Sequence, residues 1–469
     1  MQNIIAAADL EKVLEDAKGA SYAEIRYHAR TLNEVRISNG ELDRIRSVSN
    51  DGAGIRVLVE GCWGFSSTSD TSHASLLETV RAALSSAGLL SKAKARKVSK
   101  LADAKLAVGT FKPKVNGSLE DHGIEEKVKL VKDSEAYARK HSSRIKSASC
   151  IYRETIDQKI IVSTDGASAE LFDSKPEFSA TAVAVESGNR VTASEGIGVT
   201  GGWKDLFGER GAKEIAREAA RKAVKLLKAK QPKGERTTVI LDPGMVGLIS
   251  HEAIGHTVEA DFVLSGSIVK DKLGEKVASD LVTLVDSGPS QIAGAAAGTI
   301  LVDDEGVMAG RTVVIGDGVL RSFLHNRETA SVLGAEPTGN ARAFEYDDEP
   351  LIRMRNTYIE PRDYSLEEMI RETEHGYLIK GARNGQADAN GEFMFGSQEA
   401  YLIERGEIKR LLRGASISGQ SFDVLKSVDA VGKDFKYDIG TGYCGKYQPM
   451  KVDGGGPHIR CTAIVGGLQ

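Results

Sequence analysis

The chain has 469 residues, 41% of them hydrophobic and 27% charged, the balance of a folded protein with apolar surface for two or three cores rather than of a disordered chain. A formal net charge of −4 provides no long-range positive field, so nucleic acid is not an expected partner. Four scattered cysteines, Cys62, Cys150, Cys444 and Cys461, form neither a disulfide framework nor a paired-thiol zinc motif, as fits a reducing compartment.

The N-terminal residues carry Asp9 and Glu11 and no basic segment ahead of a long apolar run, unlike a signal peptide. No stretch reaches the roughly 18 consecutive apolar residues of a spanning helix, so a cytoplasmic protein without a membrane partner is expected. Residues 23–27, 34–37, 42–47 and 55–59 alternate apolar and polar side chains and read as strands. Asn39-Gly40 and Asp51-Gly52 between them predict hairpin turns. Leu76, Leu77, Val80, Ala83 and Leu84 recur at helical spacing, which predicts a helix over 72–87 packed on that sheet. The lysine-rich run at 92–100 reads as a solvated helix end or linker. These elements form a first α+β domain, 1–111.

Residues 112–117, with Pro113 and Asn116-Gly117, read as a linker, and 124–140 has the period of an amphipathic helix. Strand-like runs at 146–151, 159–163 and 178–185 precede a helical pattern over 211–228 that Gln231-Pro232-Lys233-Gly234 closes. A central α+β domain, 112–234, is expected. From 235 to 469 the sequence is rich in glycine and strand patterns, with hairpins predicted around Gly316-Asp317-Gly318 and Arg405-Gly406. The expected fold class is therefore α+β: small α/β N-terminal units, then a large, mostly β domain carrying the helix described next. No fixed-period repeat points to a solenoid or propeller.

Residues 237–241 read as a strand, and Asp242-Pro243 as a helix opening, with Asp able to cap free N–H groups and Pro tolerated at the first helical position. A helix from 243 to about 260 would have an apolar face of Met245, Val246, Leu248, Ile249, Ala253 and Ile254 and carry His251, Glu252 and His256. In the metallopeptidase pattern HExxH the histidines are four apart, about 40° around a regular helix, and share one metal. Here they are five apart, about 140° on a regular helix. A single π-type turn takes in one extra residue and restores a common face, and such turns are frequent at functional sites. Gly255 is expected to make that distortion sterically cheap. A catalytic zinc takes three protein ligands and leaves a position for water, and Glu252, next to the first ligand, suits a general base. For the third ligand Glu259, Asp261 and Cys444 all stay open, the last in a glycine-flanked loop and with a thiolate that suits zinc.

His251-Glu252-Ala253-Ile254-Gly255-His256, Glu259-Ala260-Asp261, Pro337-Thr338-Gly339-Asn340, Arg355-Asn356-Thr357-Tyr358-Ile359-Glu360-Pro361 and Cys444-Gly445-Lys446 follow one another in an order that resembles the TldD/PmbA metallopeptidases, once described as modulators of DNA gyrase. The resemblance covers nearly the whole chain. It implies that His251, His256 and Cys444 bind Zn2+, one ion per catalytic subunit, and that Glu252 is the catalytic carboxylate. With all four present, the chain resembles the catalytic TldD-type member rather than the metal-free PmbA/TldE-like branch. The activity so implied is hydrolysis of peptide bonds in unfolded or flexible peptides, by a homodimer or by a heterodimer with a metal-free relative. The alternative is a non-catalytic peptide-binding or regulatory subunit of such an assembly.

Arg355, Asn356 and Tyr358 are candidates for contacting substrate or an oxyanion. Where family members often read Cys-Gly-Lys-x-Gly-Gln, this chain has Cys444-Gly445-Lys446-Tyr447-Gln448-Pro449, one residue shorter, which keeps the ligand and alters the loop. The dipeptidyl-peptidase III type shares the short histidine motif but takes a glutamate from a later helix, and the glycine-rich sequence after Asp261 does not resemble it.

Overall fold

Two long strands, Tyr22–Ser38 and Glu41–Val59, open the fold as a hairpin in this computed structural model, which describes residues 5–93, 97–289, 292, 295–388 and 390–467. Residues 94–96 of the basic run fall outside the described residues. At the predicted turn Asn39 and Gly40 take φ of 53° and 85°, the left-handed pair of a tight hairpin. Asp51-Gly52, also predicted as a turn, instead lies inside the second strand with Gly52 opposite His28. Glycine is required there by close approach: a Cβ would stand 2.6 Å from the Thr68 carbonyl oxygen and 2.6 Å from the Tyr346 ring.

Strands Cys62–Thr68, Val108–Phe111, Ile145–Ser163, Ser168–Glu186 and Asn189–Gly198 complete a seven-stranded sheet. Tyr22–Ser38 pairs with Ile145–Ser163 from Glu24 to Ser38, so one sheet runs through both the 1–111 and 112–234 segments. Helix His73–Lys92, capped by the Ser72 hydroxyl, lays Leu76, Val80, Ala83 and Ala87 on one end of that sheet. Helices Ile124–Arg139 and Ala212–Leu226 cover the other end.

Beyond residue 235 the chain is β-rich. Glu235–Leu241 lies between His375–Ala387, its parallel neighbour, and the antiparallel Ile459–Gly467. Ile459–Gly467 pairs with Ala415–Gln420, which pairs with Glu392–Glu404, which returns to His375–Ala387. The five strands therefore close a barrel, which removes free edges. A second sheet joins Leu284–Ser287, Arg311–Gly316, Asn356–Ile359 and Asp453–Gly456. The α+β class with a β-rich C-terminal region is thus as the sequence implies.

Buried ion pairs join the N-terminal sheet to the C-terminal region. Arg56 bridges Glu24 at 2.9 Å and Glu305 at 2.7 Å, and Lys159 meets Asp304 at 2.7 Å. Removing one member of such a group strands its partners in a low-dielectric interior. Arg56→Met is therefore expected to lower stability by about 3–5 kcal/mol, read as a lower midpoint in chemical denaturation. A midpoint equal to that of the unaltered chain would contradict this account of the interface.

Candidate metal centre

The barrel strand Glu235–Leu241 hands the chain to the helix at Asp242. One Asp242 oxygen accepts from the Met245 amide at 3.0 Å and the other from the Gly381 amide at 2.9 Å, which caps the helix and ties it to the barrel. The helix is regular over Pro243–Leu248, π-helical over Ile249–Gly255 and 3-10 over His256–Val258. The wide turn anticipated from the five-residue spacing is present, and it brings the His251 and His256 rings to 5.2 Å between centroids at 80°. Gly255 has a different task from the one expected. Its φ of −54° is ordinary for a helix, but a Cβ would lie 1.9 Å from Met354 Sδ, so glycine lets the wide turn rest against that side chain.

Cys444 arrives on a short hairpin, Tyr443–Cys444 with Met450–Lys451. Two buried arginines hold it through carbonyl oxygens. Arg353 donates to Cys444 O and to Gln448 O, both at 2.7 Å, and Arg342 donates to Lys451 O at 2.9 Å and Met354 O at 2.6 Å. Gln448 fastens the shortened loop, accepting from the Phe344 amide at 3.1 Å and donating to Glu349 O at 2.8 Å. Lys446 crosses to the helix side and donates to Glu259 at 3.1 Å, Asp261 at 2.9 Å and Ile352 O at 3.0 Å.

These elements bring one donor atom each from His251, His256 and Cys444 within 4.8 Å of one another. Cys444 Sγ lies 3.4 Å from His256 Nε2, while His256 Nδ1 pairs with Glu259 at 2.8 Å. Of the three residues open as third donor, Cys444 joins the histidines, Glu259 backs one imidazole from behind, and Asp261 pairs with Lys446. Glu252, partly exposed, has Oε2 at 3.8 Å from His256 Nε2.

Burial alone would push the Cys444 thiol up, but the two imidazoles beside it reverse this and hold it at about 3, so the sulfur is a thiolate. Burial likewise works against a charged His256, but the Glu259 carboxylate and the thiolate raise it to about 10. His251 is only 2% exposed, and neither of its ring nitrogens has a hydrogen-bond partner among the described residues. Such orphaned buried nitrogens are costly, and coordination relieves the cost at one of them. Two imidazole nitrogens and a thiolate are a donor set suited to zinc, with a carboxylate orienting one ring from outside. The residues fit the ion.

Arg355, Asn356 and Tyr358, the expected substrate contacts, are all buried in this structure. Arg355 is fully buried and paired with Asp286 at 2.8 Å, and it also donates to Thr338 O and Gly339 O. The Asn356 amide is taken up by Ser287 O, Gly288 O and the Thr299 hydroxyl. Tyr358 is buried edge-on against Phe435 and Tyr437. Asn340 also donates to Asp286, so both motifs belong to one buried network around that carboxylate. Sequence reasoning missed the parts played by Glu259, Lys446, Arg342 and Arg353. The three-residue step from His256 to Glu259 was a readable signal, whereas nothing local marks the arginines.

Three domain models of the PmbA/TldA metallopeptidases match the chain: domain 1 over 23–87, the central domain over 117–227 and the C-terminal domain over 234–466. A metalloprotease of Methanocaldococcus jannaschii is 38% identical, over 97% of this chain and 99% of its own length. The zinc metalloprotease TldD homolog of Saccharolobus solfataricus is 32% identical, over 96% and 97%. Among solved structures, a Thermotoga maritima protein described as a candidate modulator of a DNA gyrase aligns with a TM-score of 0.80 at 23% identity, over 98% of this chain and 99% of its own. TldE from Thermococcus kodakarensis aligns with a TM-score of 0.78 at 19% identity, over 98% and 100%. The two structural likenesses carry the fold alone.

Arg353→Met removes two of the bonds that hold the Cys444 hairpin, including the one to Cys444 O, and zinc affinity measured against a chromophoric chelator is expected to fall about 10–100-fold. Unchanged affinity would remove Arg353 from the account. At pH 7, below the His256 value of about 10 and above the Cys444 value of about 3, the metal-free pair is an imidazolium and a thiolate. Zinc uptake is therefore expected to release the His256 proton and no thiol proton. Calorimetry in buffers of different ionisation enthalpy counts the protons, and a second one from the thiol would contradict the assignment.

Proposed function

The chain belongs to the PmbA/TldD family of metallopeptidases, and on that premise we propose that it is a zinc-dependent peptidase acting on unfolded or flexible peptides. In this reading His251, His256 and Cys444 hold one zinc ion and Glu252 is the general base. The observation that carries it is the meeting of three donors, one of them a buried histidine with both nitrogens unpaired, beside a partly exposed carboxylate. The metalloprotease names of the relatives support a peptide as the substrate.

A zinc ion held by these donors supplies Lewis acidity, lowering the pKa of water to about 7 and polarising the scissile carbonyl. Glu252 accepts the proton of the attacking water as its oxygen bonds to the carbonyl carbon. The same carboxyl then delivers that proton to the amide nitrogen as the C–N bond breaks and the amine leaves. Glu259 keeps the His256 ring oriented, and Lys446 offsets the Glu259 charge.

The chain is further proposed to act in the cytoplasm as a dimer, with itself or with a metal-free relative. Four free, buried cysteines suit a reducing compartment, and no described helix is long and apolar enough to cross a membrane.

Purified protein is expected to carry about one zinc per chain by elemental analysis, with His251→Ala and Cys444→Ala each losing it. Glu252→Gln is expected to retain zinc while kcat on an unstructured fluorogenic peptide falls about 10^2–10^4-fold. Full turnover by Glu252→Gln would end the general-base assignment, and a zinc-loaded chain that cuts no peptide would favour a regulatory subunit.

A further inference from the structure

A cavity of about 350 Å³ lies between the N-terminal sheet and the C-terminal region, directly behind the hairpin that carries Cys444. Tyr443, Met450 and Lys451 of that hairpin line it. Successive side chains of a strand point to opposite faces, so Tyr443 turns to the cavity while Cys444 turns to the histidines. One strand of backbone therefore separates the two sites.

The wall has two characters. Leu32, Phe111, Leu171, Phe172, Phe344 and Met450 make it apolar, while eight basic side chains face four acidic ones. Every acid of the wall already has a basic partner within the wall: Asp157 pairs with Arg30, Glu34 with Arg153, Asp304 with Lys159 and Asp173 with Lys175. Of the other four basic residues, Arg44 also reaches Glu34 at 3.4 Å and Lys451 pairs with Glu177, which does not line the cavity, so Arg46 and Arg342 are the unmatched surplus. Arg46, exposed at the mouth, has no ion pair among the described residues, and no described carboxylate pairs with the buried Arg342, which is held by carbonyls alone. A cleft lined by one excess sign within low-dielectric walls concentrates ions of the other sign, and apolar walls take the body of the ligand.

We infer that this cavity holds a carboxylate-bearing, partly apolar stretch of the peptide, and that acidic–apolar peptides are therefore the preferred substrate class. The inference rests on the peptidase reading and deepens it. The zinc-loaded Glu252→Gln protein is titrated, by fluorescence anisotropy, with two labelled unstructured peptides of equal length that alternate leucine with glutamate or leucine with lysine. The glutamate peptide is expected to bind about tenfold tighter, and the preference to shrink as salt rises.

Arg46→Glu is expected to abolish the preference and Arg46→Lys to keep it, because charge rather than fork geometry is at work at that exposed position. Equal affinity for the two peptides overturns the inference, as does a preference that survives Arg46→Glu. Binding is read without cleavage, so the two claims fail separately. If the unaltered enzyme cuts both peptides equally well, the cavity assignment alone falls. If it cuts neither while Arg46-dependent binding of the glutamate peptide persists, the peptidase reading alone falls.

Discussion

Two imidazoles five residues apart can share a face only where a helix takes an extra residue into one turn, and the centre depends on keeping that wide turn in place. A π turn is a strained local choice, so the surroundings have to favour it. Asp242 fixes where the helix starts and binds it to the barrel through the Gly381 amide. Met245, Val246, Ile249, Ala253 and Ile254 are completely buried, so rewinding to a regular helix would rotate apolar side chains out of a packed core. Gly255 against Met354 supplies the close contact on the far side. The strain is thus overdetermined by packing, as is usual where distorted backbone persists at a functional site.

The charges around the centre divide by role. Lys446 lies against Glu259 and Asp261, on the side away from the thiolate, so the carboxylate behind His256 is offset while the sulfur keeps its charge for a cation. Arg353 and Arg342 hold the Cys444 hairpin through carbonyl oxygens rather than carboxylates. They position the ligand loop without adding negative charge beside a sulfur that is already anionic. Glu252 is left partly exposed and, among the described residues, has no ion pair with lysine or arginine, an environment suited to the proton transfer proposed for it.

Local signals in the sequence were legible wherever the structure is determined locally. The Asp242-Pro243 opening, the Asn39-Gly40 turn, the helix covering the first sheet and the wide turn implied by His251 and His256 all rest on neighbours within a few residues. Asp51-Gly52 misled because glycine can be required by a distant surface, here the Tyr346 ring, as well as by a turn. The surroundings of Arg355 and Asn356 were illegible for a related reason. A run of polar and aromatic residues on a strand looks like a binding surface, and only the three-dimensional neighbours reveal that Asp286 and the adjacent carbonyls consume it. The third donor comes from a loop 188 residues beyond His256, a separation that no periodicity spans, and only the resemblance singled it out.

The Cys444 hairpin links the two halves of the molecule. Its Lys451 is paired with Glu177 of the N-terminal sheet, and Glu177 in turn holds Arg153, which also binds Glu34 on the first hairpin. The sheet that contributes no donor to the centre therefore sets the position of the strand that does. Because Tyr443 and Cys444 face opposite ways on that strand, a shift of the sheet that changes the cavity also moves the sulfur relative to the histidines. The helix supplies two donors in a fixed relation through its wide turn, whereas the third depends on how the halves dock. Docking of the N-terminal sheet is thus a structural condition for completing the donor set, and the buried ion pairs at Arg56, Lys159 and Lys451 are the interactions that maintain it.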